Sequence, residues 1–130
     1  MIIDTKSRKA LAAILDIANH GVNGPVSLLE VSRRQKISVS YLEQIIRRLK
    51  EKGIVHSFRG PGGGYRLCRE LGAISVADIV AALDKKSHAP RNAKPDQGNA
   101  YLAQELWHGF NDRVLDYLRS ISLESLLLRE

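Results

Sequence analysis

A glycine-rich turn between two β-prone runs, directly after two short capped helices, is the feature that most constrains this fold. The runs at residues 54–59 and 65–69 flank the segment Gly60-Pro61-Gly62-Gly63-Gly64. Its glycines and proline supply backbone angles that other residues resist, so the pattern predicts a β-hairpin. A dinucleotide or Walker loop is only weakly supported here, because such a loop opens a helix whereas Tyr65 is expected to continue a strand.

Two short helices are predicted just before the hairpin. Ser27 and Glu30 form a capping box at the start of the first helix. The second helix begins at Ser38, or at Ser40 with Glu43 as its box partner. A connection of three or four residues between them is typical of a helix-turn-helix, and the hairpin that follows predicts a winged helix.

Further helices flank this unit. Residues 5–20 have helical apolar spacing, and Gly21 is expected to end that helix in the left-handed conformation. Ser75 and Asp78 form a second capping box. The predicted fold is mainly α with a small β-wing, a winged helix-turn-helix followed by a long C-terminal dimerisation helix.

Three parts of the chain differ in pattern. Residues 1–84 form the winged-helix domain, and residues 85–100 are predicted to be a flexible loop without apolar periodicity. Residues 101–130 form the long helix and a short terminal helix. Six apolar residues at helical spacing form its stripe: Leu102, Leu106, Phe110, Val114, Tyr117 and Ile121. A partner subunit covering this stripe predicts a homodimer, and the alternative is a core helix of a monomer.

The net charge is confined to one half of the chain. Residues 1–69 contain thirteen Lys and Arg and five Asp and Glu, whereas residues 70–130 contain seven and nine. This asymmetry favours nucleic acid as the partner of the first half, and the alternative is a solvated positive face.

A winged helix places the second helix of its helix-turn-helix in the major groove. The side chains expected at base edges are Ser38, Ser40, Tyr41 and Gln44, with Arg47 and Arg48 at phosphates and Arg59 in a narrow minor groove. The predicted winged helix and these side chains therefore indicate binding to double-stranded DNA.

Other classes of function lack a basis in the sequence. One cysteine cannot form an internal disulfide or a cysteine-built metal site, and the four histidines are scattered. No catalytic residues and no metal ligands are predicted, so the protein is not expected to be an enzyme. No window is long and apolar enough to span a membrane, and we expect a cytoplasmic protein.

The chain resembles the IscR and NsrR type of bacterial winged-helix regulators. The resemblance lies in Ser-Tyr-Leu-Glu-Gln (residues 40–44) and Arg-Gly-Pro-Gly-Gly-Gly-Tyr (residues 59–65), and resumes at Leu106-Trp107. It implies a homodimeric transcription factor acting on a palindromic operator, with the wing from Arg59 to Tyr65 at DNA. It also implies that Glu43 tunes which promoter class is accepted.

The chain departs from that family in its loop. Members that sense iron–sulfur status or nitric oxide carry three cysteines there, with a histidine on the long helix. Here Tyr101 and Gln104 occupy the positions of the last cysteine and the histidine, and the loop offers only His88. We therefore expect no cofactor in this sequence. Either the chain is a cluster-free member or cysteines were replaced by alanines, of which the region has four: Ala89, Ala93, Ala100 and Ala103.

Cys68 has two interpretations. Strand alternation places it with Arg66 on one face of the hairpin, and flanking arginines favour the thiolate, so it is a possible redox sensor. The interpretation we favour is a small filler at the base of the wing. For the whole chain, the alternative to a DNA-binding regulator of unknown effector is a protein-interaction adaptor that uses its winged helix to bind another protein.

Overall fold

The computed structural model describes residues 4–84 and 98–128. Its elements, in chain order, are α1 (Thr5–His20), α2 (Leu28–Gln35), α3 (Val39–Glu51), β1 (Val55–Phe58), β2 (Gly64–Leu67), α4 (Val76–Leu83), α5 (Asn99–Arg119) and α6 (Leu123–Leu127). Short 3-10 turns lie at Gly21–Asn23 and Leu71–Ala73. None of the helices in these two ranges is both long and apolar enough to cross a membrane.

The predicted mainly helical architecture with one small hairpin is confirmed. Most of the predicted loop, residues 85–97 with His88, Ala89 and Ala93, lies outside the described residues. Asn99 and Ala100 were assigned to that loop, but they form the first turn of α5.

Capping side chains fix where α2 and α4 begin. The Ser27 hydroxyl accepts a hydrogen bond from the Glu30 N–H while the Glu30 carboxylate accepts one from the Ser27 N–H. Ser75 and Asp78 make the same reciprocal pair at α4. Both predicted capping boxes are therefore present, and each N-cap side chain contributes about 1 kcal/mol to helix stability.

The ends of α1 and α2 differ from expectation. The prediction of a left-handed Gly21 is wrong, because this residue has φ −85° and ψ 6° and leads into a 3-10 turn. The left-handed conformation occurs at Lys36, with φ 58°, where the backbone N–H donates to the Ser32 carbonyl at 2.8 Å and ends α2. Lys36 and Ile37 therefore make the tight connection to α3.

One hydrophobic core joins the helix-turn-helix to both ends of the described chain. The helix α3 contributes four residues spaced along one face: Leu42, Ile45, Ile46 and Leu49. Leu123 of α6 is fully buried in the same core. Residues 4–84 therefore do not complete this core without the C-terminal segment.

A short backbone bridge fixes the C-terminal segment to α4. The Val76 N–H donates to the Ile121 carbonyl and the Leu123 N–H donates to the Ile74 carbonyl, both at 2.9 Å. Beside this bridge, α4 and Leu118 of α5 form a second, smaller apolar cluster. The long helix α5 is therefore anchored at its C-terminal end to the winged-helix unit.

A buried carboxylate clasps α1 to α2. Asp16 of α1 has no exposed side-chain surface, and it accepts hydrogen bonds from Arg34 Nε at 3.0 Å, Arg34 Nη2 at 2.8 Å and Gln35 Nε2 at 2.8 Å. Burial opposes ionisation, but the hydrogen bonds and charge of Arg34, with the bond from Gln35, outweigh it and lower the pKa of Asp16. The clasp holds the end of α2, and thereby the turn that leads to α3.

Candidate nucleic-acid interface

The N-terminus of α3 is fixed by Ser38. Its Oγ accepts a hydrogen bond from the Tyr41 N–H at 3.2 Å, so the helix begins after Ser38 and the alternative cap at Ser40 is wrong. Ser38 Oγ also lies 3.5 Å from Ser40 Oγ. Ser38 is exposed, but its hydroxyl already accepts the capping hydrogen bond. The Ser40 hydroxyl is therefore the more available of the two for a ligand.

The solvent face of α3 carries most of the predicted recognition side chains. Opposite the buried apolar face, Ser40, Glu43, Gln44 and Arg47 are exposed and lie at helical spacing. Arg48 is half-buried at the edge of this face. Within the described ranges, no carboxylate forms an ion pair with Arg47 or Arg48. The face therefore presents an amide, a hydroxyl and an unpaired guanidinium, groups that bind base edges and phosphates.

Tyr41 differs from its neighbours on α3. Its ring is half-buried and packs against the main core. The ammonium of Lys9, from α1, lies over this ring with Nζ 5.0 Å from the ring centroid. No local sequence pattern indicates this contact, because it joins residues on two different helices.

The wing is the predicted antiparallel hairpin. Val55 pairs with Leu67 and Phe58 with Gly64, and the turn between the strands exposes Arg59, Gly60, Pro61 and Gly62. Arg59 therefore lies where the chain enters the turn, as predicted, and it has no ion-pair partner among the residues described.

Close backbone approaches require glycine at two positions, one within the wing and one between the wing and Val26. A Cβ on Gly63 would lie 2.3 Å from the Phe58 carbonyl oxygen. Gly64 has φ 154°, and a Cβ there would lie 2.4 Å from the Val26 carbonyl oxygen. Any larger residue at either position must displace backbone, so this part of the turn requires glycine.

Further contacts fix the angle of the wing. Tyr65 exchanges two backbone hydrogen bonds with Val26, at 2.8 and 2.9 Å, and its half-buried ring packs against the core. Lys50 Nζ of α3 donates to Ser57 Oγ of β1 at 3.1 Å. Tyr65 is thus a support of the wing, and Lys50 connects the wing to α3.

Cys68 is exposed directly after the last residue of β2. This exposure does not fit the favoured interpretation of Cys68 as a small filler at the base of the wing, because its side chain is exposed as that of Arg66 is. Both flanking arginines have other partners: Arg66 Nη2 donates to the Gly21 carbonyl at 3.2 Å, and Arg69 Nη1 lies 3.8 Å from Asp78 Oδ2.

The apolar stripe of α5 is divided by the fold. Leu102, Leu106 and Tyr117 are each 64% exposed, and Phe110 is also exposed. Val114 and Ile121, by contrast, pack against the small cluster of the chain's own α4. Exposed Trp107 joins the outer face and meets Phe110 edge to face, with the ring centroids 6.1 Å apart. Four members of the stripe and Trp107 thus form an uncovered apolar surface, named the α5 face below.

Metal ligands are not gathered in the part of the chain that the structure describes. Across residues 4–84 and 98–128, no three His, Cys, Asp or Glu side chains lie close enough together to hold a metal ion. Tyr101 and Gln104 occupy the first turns of α5.

Comparisons with known proteins agree on one family. The family model described as "Rrf2: Iron-dependent Transcriptional regulator" matches residues 3–129. The "HTH-type transcriptional regulator IscR" of Xenorhabdus nematophila is 44% identical over 130 residues, which cover 98% of this chain and 79% of that protein. The protein of the same description from Vibrio cholerae is 42% identical over 131 residues, covering 98% and 76%.

Solved structures give the same result. The structure of T. potens IscR has a TM-score of 0.80 and 35% identity, and the match covers 96% of this chain and 85% of that one. CymR, described as the global cysteine regulator of B. subtilis, has a TM-score of 0.74 and 33% identity, with coverage of 95% and 94%.

Proposed function

The chain belongs to the Rrf2 family of transcriptional regulators, and from this premise we propose that it is a homodimer that binds a palindromic DNA operator sequence-specifically. The observation that carries the proposal is the face of α3 on which Ser40, Gln44 and Arg47 are exposed, with no ion pair to Arg47 among the described residues. Such a face, on the second helix of a helix-turn-helix, matches the major groove.

Each group on α3 has a role that its chemistry supports. The Gln44 amide can donate to and accept from adenine in a bidentate way, so we assign it direct base recognition. Arg47 and Arg48 neutralise phosphates. Ser40 hydrogen-bonds a base or a phosphate, and Glu43, exposed between them, selects against sites whose base edges present only acceptors.

Arg59 extends recognition to the minor groove. The turn that begins there is held by the fit of Gly64 on Val26 and by the bond from Lys50 to Ser57. A guanidinium presented on a fixed turn binds best where the minor groove is narrow, because the negative potential is greatest there.

The α5 face supports the homodimer. An exposed surface of Leu102, Leu106, Trp107, Phe110 and Tyr117 is costly to leave in water, and a two-fold axis lets the same surface cover itself. Sedimentation tests this: the purified protein should run as a dimer at micromolar concentration, and Leu106→Glu should shift it to monomer. A wild-type monomer of 14.5 kDa would show that the assignment is wrong.

An iron–sulfur cluster does not fit the residues of this chain. The family description includes iron dependence, but a cluster needs several thiolate or imidazole ligands. The sequence contains one cysteine, and Cys68 lies exposed on the wing. We therefore propose regulation without a cluster. We also propose that the protein is not an enzyme, because its sequence shows no recognisable set of catalytic residues. We further propose that the protein acts in the cytoplasm, the compartment that holds the DNA in bacteria such as those of its relatives.

Selection of bound duplexes from a random pool tests the central proposal. We expect an enriched palindromic site whose half-sites are separated by one helical turn or a multiple of it. Affinity for that site should fall with salt with a log–log slope of about −0.9 for each phosphate contacted. A flat salt response, or equal affinity for all sequences, would count against this proposal, and a flat salt response would favour the protein-interaction adaptor.

A further inference from the structure

We propose that Lys9, on the second turn of α1, binds a DNA phosphate next to the recognition helix, and that the ring of Tyr41 is its platform. This inference rests on the proposed function and adds α1 to a DNA surface otherwise made by α3 and the wing. It also gives Tyr41 a role different from base recognition.

The geometry begins with Tyr41. This residue lies in the first turn of α3, and its ring is held by packing against the main core. Lys9 Nζ lies 5.0 Å from the ring centroid, within the distance at which an ammonium is attracted to an aromatic face. The lysine side chain has four rotatable bonds, and this contact holds its ammonium beside the end of α3 that carries Ser40 and Gln44.

The charge of Lys9 is available to a ligand. Lys9 is exposed, and it has no carboxylate partner among the described residues, although Glu43 lies on the same helix as Tyr41. The ring face attracts the ammonium but does not neutralise its charge. An anion that approaches the start of α3 therefore meets a cation that is already positioned. When α3 lies in the major groove of a DNA duplex, that anion is a backbone phosphate.

This arrangement predicts which atoms of Tyr41 matter. A base-reading tyrosine would act through its hydroxyl, whereas a platform acts through its ring. Tyr41→Phe keeps the ring and removes the hydroxyl, and Tyr41→Leu removes the ring but keeps an apolar side chain for the core. The two substitutions therefore separate the two roles.

The experiment measures DNA affinity against salt concentration for the full chain. The probes are a duplex selected from a random pool by the wild-type protein and a random-sequence duplex of the same length. The quantity compared is the slope of log affinity against log salt concentration. Lys9→Met should make this slope shallower by about 0.9 for each bound protomer, or about 1.8 for a dimer, on both duplexes alike. Lys9→Arg, which keeps the charge, should retain the wild-type slope. Arg8→Met is the matched control, because Arg8 is exposed on the same helix and its side chain makes no hydrogen bond, ion pair or cation–π contact with α3 among the described residues.

The tyrosine variants complete the test. Tyr41→Phe should bind both duplexes with the wild-type slope. Tyr41→Leu should make the slope shallower, but by less than Lys9→Met does. In the Lys9→Met background, Tyr41→Leu should add no further change in slope. Unfolding curves for each variant identify any loss of fold. If a tyrosine variant does not fold, the two Lys9 variants and the Arg8 control decide the test.

Three results would overturn the inference: an unchanged slope for Lys9→Met, an equal change for Arg8→Met, or loss of site preference for Tyr41→Phe. Failure of the proposed function is distinguishable, because it would appear in the wild-type protein as a flat salt response or an absence of site preference. A wild-type protein that passes both tests while Lys9→Met behaves normally refutes only the role of Lys9.

Discussion

Replacing the buried carboxylate of Asp16 by an amide should destabilise the helix-turn-helix in a pH-dependent way. In Asp16→Asn the oxygen can occupy only one of the two carboxylate positions. In the better orientation it keeps the bonds from Arg34 Nε and Gln35 Nε2 and loses the one from Arg34 Nη2, where an NH2 group now faces the guanidinium.

The magnitude follows from that geometry. The hydrogen bond from Arg34 Nη2 to the carboxylate is lost, the two that remain become bonds to a neutral acceptor, and the amide is buried where the carboxylate was. With about 1.5–3 kcal/mol for a hydrogen bond to a charged group and about 1 kcal/mol for a neutral one, we expect a loss of about 2–4 kcal/mol near pH 7.

The pH dependence has a definite sign. The pKa of Asp16 is lower in the folded protein than its ordinary value, so the carboxylate stabilises the fold above the pKa of the unfolded chain. That contribution is lost as the pH falls through the folded pKa. The difference in unfolding free energy between wild type and Asp16→Asn should therefore be constant above about pH 5 and shrink below about pH 4.

Urea unfolding followed by circular dichroism, at fixed protein concentration and at several pH values, measures this difference. The control is Asp116→Asn, which neutralises an exposed partner of Arg119 on α5 and should change stability little. A difference for Asp16→Asn that stays the same from pH 7 to pH 3, or that does not exceed the control, would refute the assignment of Asp16 as a buried, ionised clasp.

Two further predictions concern the interface, and a third concerns the iron–sulfur cluster. Gln44→Ala should weaken binding to the selected site by about 1–3 kcal/mol and relax preference at one base step; equal losses on selected and random duplexes in an electrophoretic shift titration would mean that Gln44 only contacts the backbone. Gly64→Ala should cost more thermal stability and affinity than Gly62→Ala. At Gly62 (φ 77°) a Cβ meets open space, so only the left-handed strain of about 1–2 kcal/mol is added, and comparable effects would contradict the close fit of the wing. Anaerobic treatment with ferrous iron and sulfide should leave the protein colourless, because a dimer supplies only two Cys68 thiolates; charge-transfer absorbance with stoichiometric iron and sulfide would disprove this.

Local signals predicted most of the fold. Both capping boxes, the bounds of α1 and the hairpin depend on residues a few positions apart, so the sequence contains all of the relevant chemistry. The left-handed conformation of Lys36 was not predicted, because it depends on contacts between helices and not on its sequence neighbours. A left-handed lysine is unfavourable by itself, and the packing of α2 against α1 and α3 stabilises it here.

The candidate site was only partly predictable. Amphipathic spacing indicated which α3 residues face solvent, because burial of the opposite face is a property of the helix itself. The contact between Lys9 and Tyr41 depends on how α1 crosses α3, and the division of the α5 stripe depends on how far α4 covers it. Relations between distant segments of this kind leave no periodic trace in a sequence.

The burial of Leu123 has a consequence for the order of events during synthesis. The ribosome makes the recognition helix and the wing well before α6, yet the core beneath them is filled only when Leu123 enters it. A nascent chain therefore cannot complete its DNA-binding unit until the long helix α5 has also been made. Translation that stops within α5 would release a chain with an open core, which is a substrate for proteolysis and not a competitor for operators.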